Sequence, residues 1–319
     1  MPILLGLDLG TTSHSVVAID GQRRVVAEWN RDHHAEVSGL PSGYAEQNPK
    51  IHLNSAVSLL KDIAAQCPEP PVGLGITGQM HGVVFSDGAG RAVSPVITWQ
   101  DKRAAQPNPL TGKTDLETLL ERCPDSAIQS SGCRLSTGYL GTTCYSLQRA
   151  AQIPDRATTA SLLISWMGAQ LTGEKVVTDP SAAGSTGLYD LERGCWSEPL
   201  VEAVGISLSL LPEVRSSGEP IGTLCSKVSA ETGLPREMAI MNPLGDNQAS
   251  VMGSVPQATK EIQVTVGTGG QINWPVDRFV RVPAMDTRSL PDNRFLLVGA
   301  GIVGGATYAW LNDTVRQWL

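Results

Sequence analysis

The sequence is poor in aromatic side chains, with only three Phe and 5% Phe, Trp and Tyr together in 319 residues. Its core must therefore rest on Leu, Val, Ile and Ala. No apolar run approaches the length of a membrane span, and no membrane partner is expected. The start, MPILLGLDLG, has no basic segment and no long apolar stretch, so it does not read as a signal peptide. Positive charge is not in excess. The net charge is -7, which argues against a nucleic-acid surface or a basic membrane-binding face. None of the six cysteines, Cys67, Cys123, Cys133, Cys144, Cys195 and Cys225, forms a C-x-x-C pair or sits at zinc-ligand spacing with a His. They read as reduced, structural thiols of a cytoplasmic protein. Internal repeats, low-complexity tracts and charge blocks are also missing.

What is present is a chain long enough for a large core and two domains. Its organising stretch is Gly245-Asp246-Asn247-Gln248-Ala249-Ser250. An apolar run, Met238 to Leu244, leads in and a small-residue stretch to Gly253 follows, which reads as strand, turn, helix. A carboxylate there stands at the mouth of a fold, beside open backbone N–H groups. On that residue alone a helix N-cap is the commoner role. A second such place is Asp8-Leu9-Gly10-Thr11-Thr12, and the two are expected on opposite walls of one cleft. The domain boundary is placed near Pro243, giving domains 1–242 and 243–319.

Ile3 to Asp8, His14 to Asp20 and Arg24 to Trp29 read as strands, with Asp20-Gly21 as a hairpin signal. The link Gly10-Thr11-Thr12-Ser13 suits a phosphate-binding turn, or an ordinary hairpin tip. Asn48-Pro49 signals a helix start. Leu53, Ala56, Val57, Leu60, Ile63 and Ala64 then share one face. Val72 to Thr77 is a strand ending in Gly78-Gln79-Met80-His81-Gly82, a pattern of polar residues between glycines that suits a ligand-facing loop. His81 there either bonds a sugar hydroxyl or caps a buried backbone group. Trp99-Gln100-Asp101-Lys102-Arg103 offers an aromatic face beside an amide and an acid, as sugar recognition needs. The alternative is a surface ion pair, Asp101 with Arg103. Gln106 to Gly132 reads as a loop containing a helix from Asp115 to Arg122. Tyr139 to Ala151, Ser161 to Leu171 and Trp196 to Gly205 read as helices, and Thr178 to Ala183 as a polar loop. Glu219 to Leu224, Ala239 to Leu244 and Glu261 to Val266 read as strands. The last is followed by a second Gly/Thr turn, Gly267-Thr268-Gly269-Gly270. Phe295 begins a strand, followed by a Gly-rich turn at Gly299 to Gly305 and a Trp-containing helix.

Taken together, GLDLGTTS at 6–13, ITGQMHG at 76–82, WQDKR at 99–103, GDNQA at 245–249 and GTG at 267–269 resemble the FGGY family of carbohydrate kinases. They occur in that family's order. GQMHGVVF, ITWQDKR and GYLGTTCY look most like its sedoheptulokinase branch. The resemblance implies an actin-like, ribonuclease-H-like α/β fold of two domains with the cleft between them. It implies transfer of the γ-phosphoryl of ATP, with Mg²⁺, to the terminal hydroxyl of a ketose. Asp246 matches the catalytic base and Asp8 the Mg²⁺ carboxylate. Gly10, Thr11 and Thr12 match the first phosphate turn, and Gly267, Thr268 and Gly269 the second. Gln79, Met80, His81, Trp99, Gln100, Asp101 and Asn247 match the sugar side.

Members of that family are longer and carry a Gly-rich adenosine segment that nothing here matches, so the second domain is expected to be incomplete. Val264, Val266, Leu296, Leu297 and the Trp310 helix are then expected to lie partly exposed. The readings in contention are a sedoheptulokinase, a xylulokinase or other ketose kinase, and a truncated sugar-binding relative without activity. A chaperone-like ATPase is disfavoured, because it has no use for the Gln79-Met80-His81 and Trp99-Gln100-Asp101 clusters.

Overall fold

A computed structural model of the chain describes every residue except 256–260, 267, 268, 304 and 319. The main sheet is built from β1 (Ile3–Leu9), β2 (Ser13–Ile19), β3 (Val25–Asp32), β4 (Pro71–Gly78), β5 (Pro220–Thr223), β6 (Ala239–Met241) and β7 (Leu244–Gly245). Their spatial order is β5-β6-β4-β1-β2-β3, with β7 also paired to β4. β1, β2 and β3 form an antiparallel meander, whereas β1, β6 and β7 run parallel to β4. The alternation in β1 sends Ile3, Leu5, Leu7 and Leu9 into the core and leaves Leu4, Gly6 and Asp8 on the other face.

Helix α1 (Pro49–Ala64) begins as its sequence dictates: Asn48 accepts from Lys50 N–H and Pro49 opens the first turn. It lays Ala56, Val57, Leu60 and Ile63 on the sheet, together with His52, which is fully buried. Helices α2 (Leu140–Arg149) and α3 (Leu163–Thr172) complete the same core, and Gly173, at φ 77°, ends α3 in the left-handed conformation. The Asp115–Arg122 helix has the expected bounds and a Thr114/Glu117 capping box. The loop reading after it missed a second short helix, Asp125–Ser130.

α4 (Asp246–Ser254) leads to a second sheet of β8 (Gln263–Val266), β9 (Gly269–Val276), β10 (Asp286–Leu290) and β11 (Arg294–Val303), before helix α5 (Gly305–Trp318). This sheet is antiparallel throughout, in the order β8-β9-β11-β10. The main sheet continues through Gly245, because β7 pairs with β4, and the chain leaves it at Asp246. Two expectations change here. Gly299 lies inside β11 opposite Ile272, because ladder pairing overrides its turn preference. Thr178 to Ala183 is not a loop: Asp179 caps a short helix, Pro180–Gly184, accepting from Ala182 N–H.

Val264 (61% exposed), Val266 (72%) and Trp310 (65%) are open to solvent, as expected. Leu296 and Leu297 are buried instead, since β11 is central in its sheet and Leu296 packs on Val251 and Val255 at the α4 end. No helix among the described residues is long and apolar enough to cross a membrane.

The turn after Trp99 is fastened by a buried charge network. Asp101 is 1% exposed, and its oxygens accept from Arg103 Nε (2.8 Å), Arg103 Nη2 (3.0 Å), Arg103 N–H and Ala45 N–H. Arg103 also reaches Glu46 at 2.6 Å and lies over the Tyr44 ring. Removing one partner strands a buried charge. Asp101→Ala is therefore expected to lower unfolding free energy by about 3–5 kcal/mol, measured by urea denaturation.

Candidate active site

The register of the parallel strands brings the two singled-out carboxylates together. Thr77 of β4 has Asp8 of β1 as its neighbour on one side and Leu244 of β7 on the other. Gly78 likewise lies between Leu9 and Gly245. Asp8 and Asp246 thus stand at the carboxyl ends of parallel strands flanking β4, the place where open α/β sheets bind ligands. They arise at the end of one sheet, not from opposite walls as the sequence reading had it.

Asp246 is the first residue of α4, and the N-cap position belongs to Gly245. Its Oδ1 accepts the N–H of Asn247 at 2.6 Å. Asp246 is exposed at the surface, although protein crowds one side of its carboxylate. That desolvation raises its pKa to about 6, against the pull of the Asn247 N–H and with added repulsion from Asp8. The backbone entering α4 is fixed from behind. Gly245 N–H donates to Ser181 Oγ at 3.0 Å, and that hydroxyl donates to Asp179 Oδ1 at 2.8 Å. A Cβ on Gly245 would lie 2.6 Å from Met80 Sδ, so the glycine permits the close approach of the 78–82 loop.

Asp8 lines a cavity of about 950 Å³ with Ser15, Thr77, Ala249 and Met252. Burial raises its pKa, and its Oδ1 is buried without a hydrogen-bond partner. An unpartnered carboxylate oxygen is a fit donor for a hard cation such as Mg²⁺.

Beside Asp246 is a pocket of about 260 Å³ whose lining includes Met80, His81, Trp99, Tyr139, Asn247 and Arg288. His81 adopts a left-handed backbone, φ 62°, and stacks on Tyr139 with centroids 4.0 Å apart. Its Nδ1 is 2.6 Å from the Ser185 carbonyl, which only accepts, so Nδ1 carries the proton and Nε2 is left as an acceptor. Desolvation first, and the Arg288 charge second, lower its pKa to about 3. Trp99 Nε1 donates to Thr11 Oγ1 at 3.0 Å, joining this pocket to the Gly10–Thr12 turn. Asn247 exchanges two amide hydrogen bonds with Asn273, and Arg288 Nη2 donates to Tyr139 Oη at 2.8 Å and to Asp286 at 2.7 Å.

Other expected site residues lie elsewhere. The Asp101 carboxylate is fully engaged by Arg103 and Ala45, so it holds the loop and has no acceptor capacity left for a sugar. It is an ion pair after all, buried rather than at the surface. Gln79 is buried, with Nε2 donating to Gln47 Oε1 at 3.1 Å, because its side chain turns under the Gly10 turn. Gln100 is exposed and absent from the pocket wall. In the first turn Thr12 is exposed, and a Cβ on Gly10 would meet the Ser13 carbonyl at 2.7 Å, a tight tip that needs glycine. Gly267 and Thr268 lie outside the described residues, and Gly269 opens β9. Sequence reasoning missed Tyr139, Arg288 and Asp286 as wall residues. Only Tyr139, inside GYLGTTCY, had drawn attention.

The folded pKa of His81 lies below its ordinary 6.5. Its contribution to stability is therefore full above pH 6.5 and is lost as pH falls from there towards 3. Unfolding free energy measured across that range should fall less steeply for His81→Asn than for the unsubstituted chain.

Comparison with known proteins bears on the whole arrangement. A family model described as the FGGY family of carbohydrate kinases, N-terminal domain, matches residues 3–253. The glycerol kinase of Thermus brockianus is 29% identical over 335 residues, covering 98% of this chain and 64% of that protein. The glycerol kinase of Methylibium petroleiphilum is 27% identical over 337 residues, with the same coverage of 98% and 64%. The chain thus spans 64% of the length of these relatives. Among solved structures, the ligand-bound xylulose kinase of Lactobacillus acidophilus superposes with a TM-score of 0.88 at 20% identity, covering 98% of this chain and 63% of that one. The Plasmodium falciparum glycerol kinase with ADP gives 0.84 at 21% identity, covering 98% and 64%. These similarities, together with the sheet order and the strand-end carboxylates, establish the fold as that of the actin-like, ribonuclease-H-like kinases, and the chain belongs to the FGGY family of carbohydrate kinases.

Proposed function

We propose that this protein phosphorylates the terminal primary hydroxyl of a ketose at the expense of ATP, with sedoheptulose the first candidate. The observation that carries the reading is Asp246, a carboxylate at the start of α4 that lines a pocket with polar side chains and Trp99 and whose pKa is raised. A base of pKa near 6 is ionised at neutral pH and still basic enough to take a hydroxyl proton as the bond to phosphorus forms. His81 Nε2 accepts from a sugar hydroxyl, Arg288 donates to a sugar oxygen, and Trp99 covers C–H faces. Asp8 holds Mg²⁺, which neutralises phosphate charge when bound, and the Gly10–Thr12 turn takes the phosphates. Positioning and charge neutralisation supply most of the rate in such a transfer.

The ketose assignment rests on GQMHGVVF and ITWQDKR. The relatives named above are glycerol and xylulose kinases, which makes xylulose the second reading and glycerol the third. ADP release from the full chain with each acceptor separates them. The highest kcat/KM is expected for sedoheptulose. A much higher value for xylulose or glycerol would replace it, and no ADP release with any of the three would leave a sugar-binding protein without kinase activity.

Asp246→Asn should keep sugar binding and lower kcat by about 10²–10⁴-fold, the usual contribution of a general base. With Asp246 intact, kcat/KM should rise with pH as the carboxylate loses its proton, levelling above about 6. The Asn variant should lack that limb. Near-normal turnover in it would return Asp246 to a structural role at the helix start.

A further inference from the structure

Three histidines that the proposed kinase chemistry does not use meet beneath the Gly10–Ser13 turn. His14 comes from β2, His33 from the residues just after β3, and His52 from α1. All three are buried, His14 and His52 at 0% exposure. Their ring centroids are 4.5 to 5.1 Å apart. One ring nitrogen from each lies within 4.8 Å of the others.

We propose that His14, His33 and His52 form a binding site for a borderline divalent transition cation, zinc foremost, that braces the Gly10–Ser13 turn from below. Imidazole nitrogens suit zinc, copper, nickel or iron, and not the hard cations that oxygen donors select. His14 Nε2 and His52 Nδ1 face each other at 2.9 Å. Two ligand nitrogens on a tetrahedral zinc are about 3.3 Å apart, given zinc–nitrogen bonds near 2.0–2.1 Å. That pair needs a small opening, and His33 a modest approach.

The outer partners of two of the three imidazoles are already in place. A ligating His usually donates its other N–H to an oxygen. His52 Nε2 is 2.9 Å from Gln47 Oε1, and His33 Nε2 is 3.4 Å from the Gly10 carbonyl. Both rings would thus ligate through Nδ1. His33 would give up the N–H of Ala35, which it accepts at 3.1 Å, exchanging one backbone hydrogen bond for a metal bond. The proton between His14 and His52 would shift to Nδ1 of His14, leaving three neutral ligands and a fourth position for water. Burial supports the neutral state, lowering the pKa of His14 to about 3 and of His52 to about 2. Hydrogen bonding within the cluster does not account for every nitrogen, since Nδ1 of His14 is buried without a partner.

The cluster is tied to the turn through two carbonyls. Gln47 Nε2 donates to the Thr11 carbonyl at 2.8 Å, and His33 lies against that of Gly10. A bound cation would stiffen this base and raise the melting temperature.

The test uses the full chain without a polyhistidine tag, zinc chloride as the probe and EDTA as the chelator. About one zinc per chain is expected after gel filtration, with Tm raised by zinc and lowered by EDTA. His33→Gln and His52→Gln should each weaken zinc binding at least about tenfold. Should either variant fail to fold, the imidazole ¹⁵N shifts of the unsubstituted chain decide, and those of all three histidines should move on adding zinc. No retained zinc with an unmoved Tm, unmoved ¹⁵N shifts, or equal zinc in the unsubstituted chain and both folded variants would overturn the site. None of these readouts needs kinase turnover, so the result stands apart from the function proposed above.

Discussion

The parallel pairing of β1 and β7 against β4 is the constraint on which the rest depends. It sets Asp8, Thr77 and Leu244 side by side and delivers Asp246 at the first step of α4. A one-residue slip in either pairing would turn the neighbouring side chains to the other face. The slip is resisted because Leu5, Leu7 and Leu9 on β1 and Leu74 and Ile76 on β4 are buried in the core. Apolar burial therefore fixes the placement of two polar groups that contribute nothing to it.

The carboxylates are unusual for the same reason. Both sit where strands end, Asp8 half-buried and Asp246 exposed but crowded on one side, and desolvation raises the pKa of each. Asp8 keeps an unpartnered oxygen and Asp246 bonds one backbone N–H. Asp101 and Asp179 show what a purely structural buried acid looks like here. Asp101 is paired with Arg103, and Asp179 accepts from Ser181, Ala182 and Ser217. The contrast in satisfaction, rather than burial alone, separates acids that hold the fold from acids left free for a ligand.

Local signals were legible in the sequence and tertiary ones were not. The α1 start, the Asp115–Arg122 helix and the Asp20-Gly21 hairpin follow from capping and turn chemistry within a few residues, and the structure keeps them. Asp8 and Asp246 were visible as acids at strand-to-turn junctions. The failures had a common cause. Gln79 and Asp101 match the sugar side through the family resemblance, but distant partners, Gln47 and Ala45, decide where those side chains point. Arg288 and Tyr139 reach the pocket from separate elements, and Arg288 lies in no motif. The three buried histidines are spread from 14 to 52, a spacing that no ligand pattern records. Gly299 was read as a turn because propensity could not foresee that β9 and β10 would pair on both sides of β11.

The pocket beside Asp246 is completed by the second sheet, and its shape therefore depends on how that sheet is held. Polar ties from β10 contribute: Thr287 N–H donates to the Gly132 carbonyl at 2.8 Å, Arg288 reaches Tyr139, and Gln248 Nε2 donates to the Ser289 carbonyl at 3.2 Å. The paired amides of Asn247 and Asn273 add a tie from α4 to β9. Apolar contacts join these parts as well: Val251, Val255, Leu290, Leu296 and Val298 form one cluster, and Phe279 and Phe295 pack against Ala183, Tyr189 and Leu191. Directional hydrogen bonds and these contacts together hold the wall, each hydrogen bond contributing about 1 kcal/mol net. Asp246 thus follows from the main sheet and Arg288 from the second, and the pocket they line depends on both.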